Sequence, residues 1–346
     1  MISFKIGETL LKIHNYITSS NTKKTEINSK LHYKQILKTM SKAQNVIDSP
    51  NANTTFMVWN LKANVEYQET FKDLCTLITN LNHSITTRFP KTNSSIVMGI
   101  GHDAWLKLNL PKPLPKELKK FNKIEGDKHT AVSTKADLHF HIRSTEKSLC
   151  YDISSNLTTI LDKIATCTEE IHGFRYWDGR SILGFVDGTE NPEGAKDRSH
   201  FALIGNEDEK YKNGSYLFVQ KYIHNMDAWK NLPIDEQEKI IGRSKADDIE
   251  MSDDVKPSNS HSALANVGDD KKIVRDNMPF GNISTNEMGT YFISYASTFS
   301  TVNEMLTRMF VGEPKGNYDR ILDFSTAKTG SLFFVPSLDL LDSFSE

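Results

Sequence analysis

One aspartate with glycines close on either side is the part of the sequence whose residue types most directly indicate chemistry. Residues 184–192 read Gly-Phe-Val-Asp-Gly-Thr-Glu-Asn-Pro, so Asp187 follows Gly184 by three residues and directly precedes Gly188. Glycines let the backbone approach a flat ligand closely and adopt torsion angles that residues with a Cβ resist. A carboxylate held there would point at that ligand. On the spacing alone, a turn in which Asp187 hydrogen-bonds its own backbone is the better interpretation.

The complete nine-residue segment resembles the Asp-bearing GxxDG motif of the dye-decolourising peroxidases, which are haem enzymes, and in particular the bacterial B/P class. Downstream, Ser260-His261 and then residues 272–281 (KIVRDNMPFG) are similar to the stretch that holds the axial histidine and the distal arginine of that family. Shorter similarities extend the resemblance to about residues 43–346, and they are GIGHDAW at 99–105, YLFVQKYIHNMDAW at 216–229, IIGRSKADDIE at 240–250 and DRILDFSTAKTGSLFFVPS at 319–337.

The resemblance implies that His261 is the axial ligand of the haem iron. A neutral imidazole suits iron, and a proximal histidine is a standard axial donor. Taken by itself, a histidine in this Pro/Ser/Asn-rich loop would be interpreted as a surface residue, so the assignment depends on its place ahead of Arg275. Asp319 is the predicted acceptor for the other ring N–H of the ligand. Asp323, one helical turn away, is the alternative.

On the peroxide side, the resemblance assigns catalytic roles to Asp187, Arg275 and Asn277. Arg275 carries a permanent charge that can stabilise a developing anion and can also reach a haem propionate. If the segment is extended, Asn277 points to the same side as Arg275, where its amide can hydrogen-bond water or peroxide. Gly188 and Thr189, which follow Asp187, are predicted to lie against the cofactor.

The resemblance therefore predicts a haem-dependent peroxidase that reduces hydrogen peroxide and oxidises an organic, dye-like or phenol-like electron donor. The predicted cofactor is haem b, one per chain. Asp187 is expected to move a proton from the inner to the outer peroxide oxygen, so that water leaves. One alternative is a non-catalytic haem carrier with the same fold, although a carrier has no need of Asp187 and Arg275 together. Another is a structural protein of this fold without a cofactor.

The elements that must position these residues follow a similar order in the two halves of the chain. Apolar or alternating runs predict strands, and they lie at 54–61, 96–101, 137–143, 215–222, 290–295 and 331–335. Helical periods predict helices after the first strand of each half and at residues 151–171 and 301–310. The pattern thus predicts two α+β units whose antiparallel sheets face each other with helices outside.

The family resemblance adds the identity of these units. It implies a duplicated pair of ferredoxin-like units, an N-terminal one at residues 43–180 and a C-terminal one at 181–346, with haem bound in the C-terminal unit. Residues 1–42 are predicted to be an extension, either a flexible tether or a targeting segment. They contain only Glu8 and Glu26 as acids among many Ser, Thr and Asn residues, a composition loosely like that of an organelle presequence.

Charge and hydropathy exclude two classes of partner. The 42 Lys and Arg residues against 44 Asp and Glu residues give a formal net charge of -2, which provides no field for nucleic acid. No apolar stretch is long enough to predict a membrane helix.

Cys75, Cys150 and Cys167 are spaced for neither zinc nor disulfides, which favours a reducing compartment. We predict a cytoplasmic protein, or a mitochondrial one if residues 1–42 are a presequence, and by analogy with the family a homo-oligomer.

Two further groups of residues could carry chemistry but are interpreted otherwise. His139 and His141 lie two positions apart on a predicted strand and could begin a metal site. With no third ligand in view, we interpret them as exposed histidines of an edge strand. Five aromatic residues could relay electrons to bulky donors, as is proposed in the family, although core packing is preferred for most of them: Trp59, Trp105, Tyr176, Trp177 and Trp229.

Overall fold

The structure, a computed structural model, describes residues 42–346, so the predicted extension lies outside the described residues apart from Lys42. The first half of the described chain alternates strands and helices. Its elements are β1 (Asn53–Leu61), α1 (Gln68–Arg88), β2 (Ser95–Gly101), α2 (His102–Lys107), β3 (Ile124–Glu125), β4 (Thr130–Ala131), β5 (Leu138–Ser144), α3 (Lys147–Leu161) and β6 (Ala165–Phe174).

The predicted helix at 151–171 is wrong in its second part. Helix α3 ends at Leu161, and the residues from Ala165 onward form β6. This strand pairs antiparallel with the whole of β1, from Ala165 opposite Leu61 to Phe174 opposite Asn53. The interstrand hydrogen bonds to β1 outweigh the weak local helical period, because strand formation depends on the partner more than on intrinsic propensity.

The second half repeats the alternation with more helical insertions. Its elements are α4 (Gly194–Ala202), a 3-10 helix (Asn206–Tyr211), β7 (Ser215–His224), α5 (Met226–Lys230), α6 (Ile234–Ile241), α7 (His261–Ala265), β8 (Val274–Arg275), β9 (Met278–Asn282), β10 (Glu287–Ala296), α8 (Phe299–Phe310), a second 3-10 helix (Arg320–Asp323), β11 (Ser325–Ala327), β12 (Ser331–Val335) and α9 (Leu338–Ser343). Within the described range, no helix has the length and apolar character needed to cross a membrane.

All the main strands join in one antiparallel sheet, and its order repeats. The path is β6-β1-β5-β2-β12-β7-β10-β8, with β11 beside β7 and β9 beside β10. In each half the last main strand lies next to the first, followed by the third and the second, which is the order of a ferredoxin-like βαββαβ unit. The predicted duplication is therefore confirmed. The halves are joined where β12 pairs with β2, with Phe333 opposite Gly101 and Phe334 opposite Ile100.

The two halves of the sheet turn one face toward each other, and helices cover the other face. Across this interior, Phe56 of β1 stacks on Tyr291 of β10 with ring centroids 4.2 Å apart. On the helical side, α3 packs on β1 and β5, and α8 packs on β7 and β10. The predicted arrangement of facing sheets with outer helices is confirmed, with the addition that the two sheets are continuous at one edge.

The predicted exposure of His139 and His141 is wrong. Both side chains are fully buried, because β5 lies between β1 and β2 rather than at an edge, and both face the interior between the halves. Burial lowers the pKa of His139 to about 3, so this ring is neutral. No group of three metal-ligating side chains forms around these histidines or elsewhere in residues 42–346.

The segment just before β1 belongs to the folded body. The buried Gln44 side chain accepts a hydrogen bond from the Met98 N–H (2.9 Å) and donates to the carbonyl oxygen of Pro336 (2.9 Å). Val46, 1% exposed, packs into the interior cluster between the halves. These contacts hold the segment that precedes β1 against strands β2 and β12.

We therefore expect a chain that starts at Lys42 to retain the stability of the full chain. A chain that starts at Pro50 should lose about 3 kcal/mol of unfolding free energy, because it lacks the buried Val46 and the Gln44 hydrogen bonds. Urea unfolding followed by tryptophan fluorescence measures both. Equal midpoints for the two truncations would show that residues 43–49 add nothing to the core.

Candidate active site

A pocket opens in the C-terminal half between α7, α8 and the loop that carries Asp187. Its empty space, including open solvent at the mouth, is about 1520 Å³. Much of its wall is apolar and includes Leu183, Phe185, Phe292, Val302, Leu306 and Met309. The predicted site residues that also line it are Asp187, Gly188, Thr189, His261, Arg275 and Asn277. The fold thus brings together segments that are nearly ninety residues apart in the chain.

The loop around Asp187 has a shape that its glycines allow. Gly184 and Gly188 have φ angles of +95° and +88°, which residues with a Cβ adopt only with strain. The Asp187 N–H donates to the carbonyl oxygen of Gly179 (3.0 Å), which holds the backbone of the loop. The Asp187 carboxylate does not bond its own turn. It accepts from the side-chain amide of Asn277, whose Nδ2 lies 3.2 Å from each carboxylate oxygen.

Asn277 has a fixed amide orientation. Its Oδ1 accepts a hydrogen bond from the backbone N–H of Ile293 in β10 (3.1 Å). Because a backbone N–H can only donate, the amide oxygen must lie on that side, and the NH₂ group must face Asp187. Asn277 therefore ties the Asp187 carboxylate to the sheet and orients it within the pocket.

Asn191, the asparagine of the same nine-residue segment, holds the backbone of Arg275. Its Nδ2 donates to the Arg275 carbonyl oxygen (2.9 Å), and its Oδ1 accepts from the Arg275 N–H (2.8 Å). Asn191 was not among the predicted site residues, although its place in the motif was a usable signal. The Arg275 guanidinium lines the pocket and makes no ion pair or hydrogen bond to any residue in 42–346. Its charge is available to an anionic ligand.

His261 begins α7 and meets a buried carboxylate. Its Nδ1 lies 2.7 Å from Oδ2 of Asp319, which is fully buried. The other oxygen of Asp319 accepts from the Ile321 N–H (3.0 Å), so the carboxylate cannot turn freely. An ionised carboxylate only accepts hydrogen bonds, so the proton of a neutral His261 ring lies on Nδ1. The Nε2 atom then carries the lone pair that a metal ligand needs.

Asp323, the alternative partner of His261, lies elsewhere. Its Oδ1 is 2.6 Å from Nζ of Lys128 and 3.1 Å from Nε2 of His129. These contacts lower the pKa of Asp323, although partial burial acts in the opposite direction. Asp323 therefore fastens the second 3-10 helix to the loop between β3 and β4, while Asp319, at the start of that helix, faces His261.

A buried histidine that was not among the predicted site residues, His224, adds a polar patch to the pocket wall. His224 bonds the hydroxyl groups of Ser325 through Nδ1 (2.8 Å) and of Thr290 through Nε2 (2.9 Å). Burial lowers the pKa of His224 to about 4, so this ring is neutral and adds no charge to the pocket. Both ring nitrogens of His224 have partners, whereas within residues 42–346 only Nδ1 of His261 is hydrogen-bonded.

The sequence matches the Dyp-type peroxidase family in two adjoining regions. Residues 44–175 match the description "Dyp-type peroxidase, N-terminal", and residues 178–340 match "Dyp-type peroxidase, C-terminal". The chain belongs to the Dyp-type peroxidase family. A dye-decolorizing peroxidase of Rhodococcus erythropolis is 48% identical over 280 residues, which cover 80% of this chain and 81% of the relative. A dye-decolorizing peroxidase of Mycobacterium tuberculosis is 45% identical over 291 residues, covering 83% and 86%.

Solved Dyp-type structures have the same fold. A dye-decolorizing peroxidase of Bacteroides thetaiotaomicron superposes with a TM-score of 0.86 at 52% identity, covering 88% of this chain and 99% of that one. An encapsulated DyP-type peroxidase of Mycobacterium smegmatis gives a TM-score of 0.83 at 44% identity, covering 88% and 98%. A variant of DypB from Rhodococcus jostii, solved in complex with haem, gives 0.81 at 42% identity, covering 88% and 99%.

The aromatic residues of this Dyp-type peroxidase divide into two sets. Trp59, Trp105 and Trp229 are at most 1% exposed and are core residues. Tyr176 and Trp177 stack with ring centroids 4.9 Å apart, and Trp177 is 74% exposed. Tyr176 also lines a small cavity whose other walls include Asp187, Arg275 and Asn277. One stacked aromatic pair thus connects the surface to the neighbourhood of Asp187.

Replacing Asn191 tests how the Arg275 segment is held. Asn191→Ala removes both hydrogen bonds to the Arg275 backbone and should lower the free energy of unfolding by about 1–2 kcal/mol. Hydrogen exchange at the Arg275 amide should accelerate, because Asn191 is its acceptor. The matched control is Asn156→Ala, on the exposed face of α3, which should leave that exchange rate unchanged. Identical Arg275 exchange in the two variants would contradict the assigned role.

Proposed function

We propose that this chain is a haem peroxidase that reduces hydrogen peroxide and oxidises an organic electron donor. One observation carries the proposal. The same pocket is lined by a histidine, whose Nδ1 is hydrogen-bonded to a buried carboxylate, and by the group of Asp187, Asn277 and Arg275. Membership of the Dyp-type family and the haem-bound structures of related DypB variants support the same activity.

The residues of the pocket fit haem b, one per chain. His261 would hold the iron through Nε2, because Asp319 fixes the proton on Nδ1. The apolar wall accepts a porphyrin face, and the Arg275 guanidinium can meet a propionate. Gly188 and Thr189 line the pocket beside Asp187, where the cofactor would approach the loop. Haem, when bound, supplies the redox chemistry of peroxide reduction and donor oxidation.

The Asp187 carboxylate acts as the proton carrier in this proposal. It accepts the proton of the inner peroxide oxygen and returns it to the outer oxygen, so that water leaves. The Asn277 amide orients both carboxylate oxygens for this transfer. The Arg275 charge stabilises negative charge on the peroxide as the O–O bond polarises. Haem carriage, the alternative from the sequence, needs neither a proton carrier nor a cation beside it.

The donor and the setting of the enzyme follow as further parts of the proposal. A donor too bulky for the pocket would transfer its electrons at the stacked pair of Tyr176 and Trp177. Three free cysteines support a reducing compartment, the cytoplasm or, if residues 1–42 are a presequence, mitochondria. Subcellular fractionation distinguishes these locations, and light scattering of the purified chain tests the proposed homo-oligomer.

Replacing His261 or its carboxylate partner tests the iron ligand. His261→Ala should abolish stable haem binding. In Asp319→Asn, the amide oxygen is kept by the Ile321 N–H, so the NH₂ group faces His261 and forces the ring proton onto Nε2. Haem affinity should then fall about 10–100-fold. Haem titration followed at the Soret band measures this effect.

The matched control for the second variant is Asp323→Asn, which changes a carboxylate on the same 3-10 helix that does not touch His261. It should bind haem with the affinity of the parent. An unchanged Soret spectrum and affinity in His261→Ala would show that another residue ligates the iron.

Asp187 and Arg275 should both be needed for peroxide reduction. Asp187→Asn keeps the shape but removes the proton acceptor, so the reaction with peroxide should slow by about 100-fold. Arg275→Leu should slow the same step, because it removes a fixed charge. Stopped-flow absorbance after mixing with peroxide measures both. If both variants react at the parent rate over the whole pH range, haem carriage becomes the better explanation.

A further inference from the structure

The residue between Arg275 and Asn277 points away from the pocket into a buried ion pair. Because side chains of an extended segment alternate, Arg275 and Asn277 line the pocket while Asp276 faces the interior between the halves. Asp276 is 1% exposed, and its Oδ2 lies 2.8 Å from Nη1 of Arg143, which is also 1% exposed. The proposed function gives this pair no role.

Arg143 belongs to β5 of the N-terminal half, and several partners hold its guanidinium. The Ser95 hydroxyl accepts from Nε (3.2 Å) and Nη2 (3.0 Å), and the carbonyl oxygen of Asn45 accepts from Nη2 as well. The ion pair therefore joins a rigid point on the first half of the sheet to the segment that carries Arg275.

That segment has an incomplete hydrogen-bond ladder. The pairing with β10 keeps one register, with Arg275 opposite Ser294 and Met278 opposite Tyr291. Between these pairs, the Ile293 N–H donates to the side chain of Asn277 instead of to the Asp276 carbonyl that a regular ladder would offer. One backbone hydrogen bond, from the Asp276 N–H to the Ile293 carbonyl (3.2 Å), remains there. The break separates β8 from β9, directly beside the proposed catalytic side chains.

A buried ion pair is a poor source of stability, because an apolar pair of the same size is often as stable or more stable. It can, however, fix the register in which a strand pairs with its neighbour. A slip of one residue would turn Asp276 toward the pocket, move Arg275 and Asn277 into the interior, and take from Arg143 its buried carboxylate partner, leaving the Ser95 hydroxyl, the Asn45 carbonyl and the half-exposed Asp48 carboxylate, 3.7 Å away. The pair thus penalises the one displacement that would destroy the catalytic arrangement.

We propose that Arg143 and Asp276 are positioning residues that hold Arg275 and Asn277 toward the pocket. The inference rests on the proposed roles of Arg275 and Asn277, and it adds two residues that touch neither the pocket nor its ligand. Interior contacts of the first half of the sheet thereby set the geometry of a site built in the second half.

The test replaces both charges with apolar side chains in the double variant Arg143→Met/Asp276→Leu. Its matched control is Lys221→Met/Glu287→Leu, which removes a cross-strand ion pair of 2.7 Å between β7 and β10. Both double variants should unfold near the midpoint of the parent in urea. In haem-free protein, hydrogen exchange at the amide of residue 276 should accelerate at least tenfold in the first variant and stay unchanged in the control.

Fluoride provides a second measurement, because it binds ferric haem iron and accepts hydrogen bonds from residues beside it. Absorbance titration of the haem-loaded proteins should show about tenfold weaker fluoride binding in Arg143→Met/Asp276→Leu and parent affinity in the control. If that variant keeps the parent exchange rate and the parent fluoride affinity, the positioning role is wrong.

Three other variants keep the outcomes distinct. If the double replacement prevents folding, Ser95→Ala provides a milder variant, because it removes two hydrogen bonds that orient Arg143 and leaves the ion pair. Hydrogen exchange at the Asp276 amide should still accelerate several-fold in this variant. An unchanged exchange rate overturns the proposal. Arg275→Leu and Asn277→Ala test the proposed function itself. If neither weakens fluoride binding, the catalytic assignment fails, while the exchange measurement at Asp276 still decides the positioning role.

Discussion

Each half of this chain builds a sheet that helices cover on one face only, and the uncovered faces have to be buried against each other. The pairing of β12 with β2 makes the two sheets continuous, and the stacking of Phe56 on Tyr291 closes the interior between them. This burial decides which side of β10 is free to form a site. Thr290 and Phe292 point into the pocket, while Tyr291 and Ile293 point into the interior.

The same alternation gives the segment from Arg275 to Asn277 two different tasks. Its pocket side presents a cation and an amide, and its interior side presents a carboxylate to Arg143. Where the backbone ladder is incomplete, asparagine side chains replace it. Asn191 bonds both backbone groups of Arg275, and Asn277 bonds Ile293 and Asp187 at once. An amide can do this because it donates and accepts, whereas a carboxylate or an aliphatic side chain cannot.

Around His261, the arrangement depends on the direction of a single carboxylate. Asp319 uses one oxygen on the Ile321 N–H and the other on Nδ1 of His261, and because a carboxylate only accepts, it places the proton of the neutral imidazole on Nδ1. One pocket is then lined by a group that can hold iron, a group that can carry a proton, and a cation, Arg275, that has no ion-pair partner within residues 42–346. That combination suits peroxide reduction better than storage of a cofactor.

The sequence by itself named the candidate site residues and their order, because motifs such as the one around Asp187 are contiguous in the chain. It also determined the duplicated strand and helix order, since periodicity is a local property. Only the tertiary structure decided what depends on distant partners. The strand β6 forms because β1 lies beside it, and His139 is buried because β5 has a neighbour on both sides. Asp319 and Asp323 lie one helical turn apart and look alike in the sequence. Which of them meets His261 is fixed by the direction in which the folded chain turns each carboxylate.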